Sequence, residues 1–366
     1  MEIQVAGEMP CSHDEVPLAS MDHDYTITPQ PIDEQLAAAH AELKVLKQQL
    51  LETSQKLFFL ERFSNDPQNI NFYTGFKDYA TLKSVFVALQ PTATTMIRWT
   101  QMQRHSSNMD KLKTSAFHNE SLPLIDQFFM FLCRVHQGLL ERDLAVRFNL
   151  SQSSVSRILI TWANYLYVML GSIKIWPTRS IIDSNMPRDF KLWYPKTRVI
   201  IDCTEVKVQT PSSRVLNSEV YSSYKSHTTF KGLIGITPCG VLSFVSTLYT
   251  GAISDKEITS RCGIVDLLEP GDEVMADKGF LIQDLLEKKQ ASLVIPPFLD
   301  HKGQFSGEEV SETQEIARLR IHVERAIRRI KEYHIFDGVV PLTLASSINQ
   351  IWTVCSILTN FRGPLF

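Results

Sequence analysis

The sequence predicts an α/β domain built on a mixed sheet, preceded by an all-helical module. Three observations carry that expectation. From residue 198 onward, β-branched apolar runs such as RVIIDCTEVKV give way to alternating helical and strand-like stretches, the rhythm of strands interleaved with helices. FKGLIGITP and VLSFVSTLYTG flank Pro238-Cys239-Gly240 and read as two strands of a hairpin, which adds antiparallel pairing to the sheet. Between 121 and 176, by contrast, apolar residues recur at helical spacing with one three-residue break.

Composition narrows the class. Of 366 residues, 44% are apolar and 21% charged, which suits a soluble protein with a real core and excludes collagen-like, low-complexity and mostly disordered chains. The six cysteines are scattered, with no CxxC pair, so neither a zinc finger nor a disulfide scaffold is expected. The start, MEIQVAGEMP, has no basic and no apolar signal region, so a reducing intracellular compartment is expected. The net charge of −3 argues at face value against a nucleic-acid partner. It is an average over unlike parts: residues 1–43 hold nine acids and no Lys or Arg, leaving 37 bases against 31 acids in the rest, a body of +6. The acidic head, 1–32, is expected to be a disordered tail.

The elements follow in order. Leu36, Leu43, Leu50 and Leu57 recur every seven residues, with Ala39, Leu46, Thr53 and Leu60 between them. This predicts a coiled coil over 33–63 that would make a homodimer handle; an amphipathic helix packed on its own protein has the same pattern. SNDPQNIN, 64–71, is expected to break the helix, and 72–120 to be mixed and mainly helical. The helical module is placed at 72–176. Within it LPLIDQFFMFLCRVHQGL is a helix with Pro123 in its first turn. Then come a short helix over 141–148, a turn at Asn149-Leu150-Ser151, and a second helix that Ser151 is placed to cap. Helix, tight turn, helix is the DNA-binding pattern, although an ordinary helical hairpin shares its periodicity. In such a unit Gln152, Ser153, Ser154 and Arg157, at the start of the second helix, would reach base edges. The α/β domain is placed at 190–366, ending in a basic helix over 312–333. The uncharged stretches 158–173 and 339–361 are expected to be buried helices rather than membrane spans.

Three acids stand out by position. Asp202 follows the run VII, Asp277 follows EVMA, and Glu324 lies in RIHVERAIRRIK. Carboxylates near strand ends can converge in the crevice of an α/β sheet and hold hard cations such as Mg²⁺, two of which suit phosphoryl transfer. Each acid alone has a plain reading, since strand ends are polar and Glu324 can pair with Arg320 and Arg328 one turn away. Around Glu324, however, six bases against two acids between 316 and 336 would neutralise phosphates.

Taken together, these stretches resemble the transposases of PIF/Harbinger-type elements, DDE-superfamily endonucleases with an N-terminal helix-turn-helix. The resemblance covers about 71–366 and rests on the helix-turn-helix stretch LPLIDQFFMFLCRVHQGLLERDLAVRFNLSQSSVSRILITW. It rests equally on VIIDCTEVKV, YSSYKSHTTFKGLIGITPCGVLSFVS, GAISDKEITSRCGIVDLLEPGDEVMADKGF and IARLRIHVERAIRRIKEYHIF, in that order. It implies an RNase H-like fold, with Asp202, Asp277 and Glu324 as the catalytic triad holding two Mg²⁺ (or Mn²⁺). Binding to DNA at terminal inverted repeats, excision and strand transfer would follow, as would residence in the nucleus. Gln152, Ser154 and Arg157 are the expected base contacts, and Lys225, Lys231, Arg320 and Arg328 the expected phosphate contacts. Glu205 and Asp255 look like supporting acids. Some relatives carry a THAP-type zinc finger; no Cys/His spacing here suits one, which implies a separate DNA-binding partner protein. The competing expectations are a host-recruited DNA-binding protein without activity on the same fold, and an RNase H-like nuclease with another substrate.

Overall fold

The structure, a computed structural model, describes residues 31–56, 58–96, 122–213, 218, 220–222, 226–298 and 306–365, with backbone alone for 50–56. The acidic head over 1–30, Leu57 of the heptad pattern and Lys225 lie outside the described residues. The chain divides into two units, 1–53 and 54–366.

Helix α1, Ile32–Lys56, starts with Asp33 and Glu34 in its first turn, where acids suit the positive end of the helix dipole. Its Leu36, Leu43 and Leu46 are exposed. The heptad pattern does not run to residue 63. Leu60 is buried in the second unit's core, and its N–H donates to the Asp126 carboxylate at 2.9 Å, which ends any continuation of the seam.

In the second unit the expected breaker is half helix. Asp66 accepts from the Asn69 amide at 3.0 Å and Pro67 fills the first turn of α2, Pro67–Thr74, where its missing N–H costs nothing. Helix α3 follows, Tyr79–Ala93. Helix α4, Leu124–Gln137, ends at Gly138 with φ 66°, a left-handed position that a Cβ would strain. Next come α5, Glu141–Arg147, and α6, Gln152–Gly171. The turn between them closes through Asn149 at φ 51° and a bond from the Leu150 amide to the Ala145 carbonyl at 2.9 Å. Ser151 caps α6 by accepting from the Ser154 amide at 3.2 Å. Two short helices, α7 (Arg179–Asn185) and α8 (Arg188–Trp193), lead into the sheet.

Seven described strands form that sheet: β1 Thr197–Lys207, β2 Tyr221–Ser222, β3 His227–Ile236, β4 Leu242–Val245, β5 Tyr249–Thr250, β6 Glu273–Met275 and β7 Ser292–Val294. The order is β2-β3-β1-β6-β7, with β4 and β5 also on β3. β1 is antiparallel to β3 and parallel to β6, and β6 is parallel to β7, so the sheet is mixed as expected. VLSFVSTLYTG is two strands rather than one. Between β4 and β5 the Ser246 N–H still donates to the Leu233 carbonyl at 2.9 Å, but its Oγ accepts the Leu233 amide at 2.8 Å and its carbonyl accepts the Trp352 indole N–H at 3.1 Å, which interrupts the ladder.

Helices cover both faces. Val199, Ile201, Leu233 and Val274 pack with Ile258 of α9, Asp255–Arg261, and Leu286 of α10, Gln283–Glu287. On the other face Ile200, Val206, Ile234 and Met275 join the larger core. That core takes in α11, Gly307–Lys331, and α12, Ile348–Leu358. It also runs through Phe128 and Trp162 of the helical module, so α4 and α6 pack with the sheet in one hydrophobic cluster. Helix α11 starts five residues before the expected position. Ser306 and Glu309 form a reciprocal capping box, a start signal inside a stretch that its polarity marks as loop. Of the stretch 339–361, expected to be a buried helix, only Ile348–Leu358 is α-helix and buried along most of its length, while Val339 and Leu342 before it are exposed. No described helix is long and apolar enough to cross a membrane.

Candidate active site

The sheet register brings the two aspartates together. β6 runs parallel to β1 with Ile200 opposite Met275 and then ends. Two residues further on each chain stand Asp202 and Asp277. With a side-chain period of two, both lie on the face of Ile200 and Met275, the face that α11 covers. Asp202 therefore does not end its strand, as its place after VII suggested. It lies mid-strand opposite Ile234, at the level where β1 loses its parallel neighbour and a crevice opens.

Helix α11 supplies the third acid. Ile316, Leu319, Val323, Ile327 and Ile330 are buried against the sheet, and each such burial stabilises by about 1.5–3 kcal/mol. Exposed ion pairs on the same helix contribute about 0–1 kcal/mol, so the apolar stripe sets the helix rotation. Val323 inward leaves Glu324 turned to the crevice rim.

Arg320 sits among the three carboxylates. Its guanidinium lies 3.6 Å from Asp202, 3.5 Å from Asp277 and 3.2 Å from Glu324. The arginine side chain is 12% exposed and Asp202 21%, against 52% and 56% for Asp277 and Glu324. Burial pushes the Asp202 carboxyl up to about 6. Arg320 and the Cys203 N–H, 2.8 Å from Oδ1, oppose that shift, while the Asp277 and Glu324 charges add to it. The acids are thus under-neutralised by one guanidinium.

The crevice is an open cleft of about 1000 Å³. Its lining includes the three acids, Arg320, Lys207, His227, Lys231 and Lys331. Glu205 and Asp255 also reach it, from the other face of the sheet. Asp255 holds Lys231 at 2.8 Å. Burial pulls the Lys231 ammonium down, but the Asp255 carboxylate overrides it and keeps it above its ordinary value. Glu205 accepts from Thr229 at 2.7 Å and Ser222 at 3.1 Å. Both acids thus hold neighbouring side chains. Lys207 and His227 were not legible as cleft residues, because only the pairing of β1 with β3 brings their ends together.

The other expected contacts are dispersed. Arg328 is highly exposed and turns to Glu332 at 3.9 Å, away from the triad. Gln152, Ser154 and Arg157 are at the start of α6, where Arg157 Nε donates to the Ser153 carbonyl at 2.9 Å.

An all-oxygen donor set, with neither His nor Cys among the three acids, has the chemistry that Mg²⁺ or Mn²⁺ prefers. Their convergence on a resident cationic group shows a place built for positive charge. Among the described residues no three acids, histidines or cysteines stand at metal-holding distance.

Residues 201–360 match the family model described as DDE superfamily endonuclease, and residues 120–172 match that of the helix-turn-helix of DDE superfamily endonuclease. Together the two matches support a DDE superfamily endonuclease with a helix-turn-helix. Nucleases of this superfamily use divalent metals, and the mixed sheet with its helices is the RNase H-like fold expected above. The helix-turn-helix and endonuclease segments together make DNA the partner. No curated relative matches the chain.

Proposed function

We propose that this DDE superfamily endonuclease domain is a PIF/Harbinger-type transposase that cuts DNA at terminal inverted repeats and joins the freed end to a target. The observation that carries the reading is the meeting of Asp202, Asp277 and Glu324 around Arg320 in one cleft. Asp202 and Asp277 would hold two divalent cations, with Glu324 completing one site. Bound there, such cations supply an activated water or 3′-hydroxyl and neutralise the leaving oxygen. The chain's own residues do the rest. The buried stripe of α11 keeps Glu324 at the rim. Lys207 and Lys331 give the cleft positive charge toward phosphates, with Lys231 on its wall and Arg328 outside it. Gln152, Ser154 and Arg157 read base edges from the start of α6. The exposed leucines of α1 would pair two copies, a separate partner protein would add DNA specificity, and the protein would act in the nucleus.

The test is Mg²⁺-dependent nicking or excision of an element-end duplex, wild type against Asp202→Ala. Wild type is expected to cleave and the variant to lose at least about 10²-fold, the scale of a group acting in the transition state. Absence of metal-dependent cleavage by wild type would sink the enzyme reading and leave the host-recruited DNA-binding reading.

A further inference from the structure

Arg320 raises a question that the proposed chemistry leaves open. A guanidinium already occupies the position between the carboxylates where a cation would be held. Three features show how it is held there. It touches all three acids at once, at 3.2–3.6 Å, whereas charge-assisted N–H···O bonds close to about 2.7–2.9 Å. The neighbouring pair Lys231–Asp255 does reach 2.8 Å. Its Nε is buried with no hydrogen-bond partner, and a buried donor left so is costly. The acids on either side, Asp277 and Glu324, are more than half exposed, so a route out into the cleft is open. Residual negative charge, not a fitted hydrogen-bond cradle, keeps Arg320 in place.

We infer that Arg320 is an exchangeable stand-in cation: it holds Asp202, Asp277 and Glu324 together in the metal-free protein and leaves them when a divalent cation binds. This rests on the metal-site reading above and assigns a residue that sets how tightly the site takes its metal. Without Arg320, three carboxylates would face one another in a half-buried crevice, and like charges this close repel. With it, any incoming cation must break its contacts. The residue therefore protects the apo site and weakens metal binding by the same interaction. On leaving, its guanidinium would remain in the cleft that the three acids line, where a DNA phosphate can receive it.

The experiment titrates the full chain with MnCl₂ by calorimetry at pH 8, without DNA, for wild type, Arg320→Gln, Arg320→Lys and the control Arg328→Gln. Circular dichroism checks that each is folded. Arg320→Gln is expected to bind Mn²⁺ at least about tenfold more tightly, the low end of the one to three decades by which a neighbouring charge shifts a carboxylate's affinity for a proton. Metal-free Arg320→Gln is expected to melt below wild type and to gain more from added Mn²⁺. Arg320→Lys, which keeps one charge on a head that cannot fork across three acids, should fall between. Arg328→Gln, which removes a charge from the same helix but not from the triad, should change affinity less than about threefold. If Arg320→Gln does not fold, the Arg320→Lys intermediate alone decides. Equal or weaker Mn²⁺ binding in the Arg320 variants overturns the exchange while leaving the metal site standing. A tightening matched by Arg328→Gln also overturns it, since bulk charge would then suffice. No Mn²⁺ bound by wild type or any variant overturns the metal-site reading and the exchange with it.

Discussion

Acid is expected to loosen this protein through His136, at the last turn of α4. The ring is buried and stands edge-on to Tyr333, with centroids 5.3 Å apart. Its Nδ1 lies 2.8 Å from the Phe72 carbonyl oxygen. A carbonyl only accepts, so Nδ1 carries the proton and Nε2 of the neutral ring is bare; that atom is buried without a hydrogen-bond partner. Protonation would place charge where nothing receives it. Burial accordingly pulls the imidazole down to about 4, helped by Arg362 and His334 and opposed by the Phe72 carbonyl. In the unfolded chain an imidazole titrates near 6.5. For a base whose folded value is depressed, the unfolded state binds more protons between the two values. Stability is then whole above about 6.5 and is lost as pH falls toward 4. At pH 5 the loss comes to about 2 kcal/mol. The assay is urea unfolding of wild type and His136→Asn at pH 7.5 and pH 5. An Asn amide N–H can face Phe72 as Nδ1 does and does not titrate. The lost ring packing lowers both pH points alike and cancels. Wild type is expected to lose about 2 kcal/mol more than the variant over this range; equal losses would refute the reasoning.

Other perturbations have outcomes set by the same structure. Gly232→Ala would place a Cβ 2.8 Å from the Trp352 ring, and overpacking this part of the core is expected to cost about 1–3 kcal/mol, read as a lower urea midpoint at an unchanged slope. Arg328→Ala, on the exposed face of α11, is expected to weaken DNA binding equally for all sequences and to reduce the salt dependence by about one charge. Arg157→Gln at the start of α6 is expected instead to narrow the gap between a cognate element end and random DNA by about 1–3 kcal/mol in binding isotherms. Leu43→Glu on α1 is expected to shift sedimentation from dimer to monomer; a wild type already monomeric at micromolar concentration would end the dimer reading.

Much of the fold was legible because its signals are local. Asn149 and Ser151 mark the turn of the helix-turn-helix: a short polar side chain tolerates left-handed backbone, and a serine hydroxyl caps the next helix. The strand holding Asp202 announced itself by an apolar β-branched run. Where local signals compete, the sequence misled. SNDPQNIN is rich in breakers, yet Asp66 and Pro67 are also a helix start. Leu60 fits a heptad position, yet it belongs to the core. Ser306 to Glu309 lies in a polar stretch, yet it caps α11.

By itself the sequence determined which residues carry charge, where most of the helices and strands fall, and that three acids and a basic helix were present to be used. Those are properties of neighbours along the chain. Tertiary structure decided what no local pattern contains. The parallel register of β1 with β6 puts Asp202 and Asp277 at one level on one face. The buried stripe of α11 turns Glu324 toward them, and the same helix sends Arg320 into their midst while Arg328, eight residues on, faces solvent. Sign and spacing are the same for both arginines relative to Glu324. What separates them is which side of the helix meets under-neutralised carboxylates, and that depends on packing between segments more than a hundred residues apart.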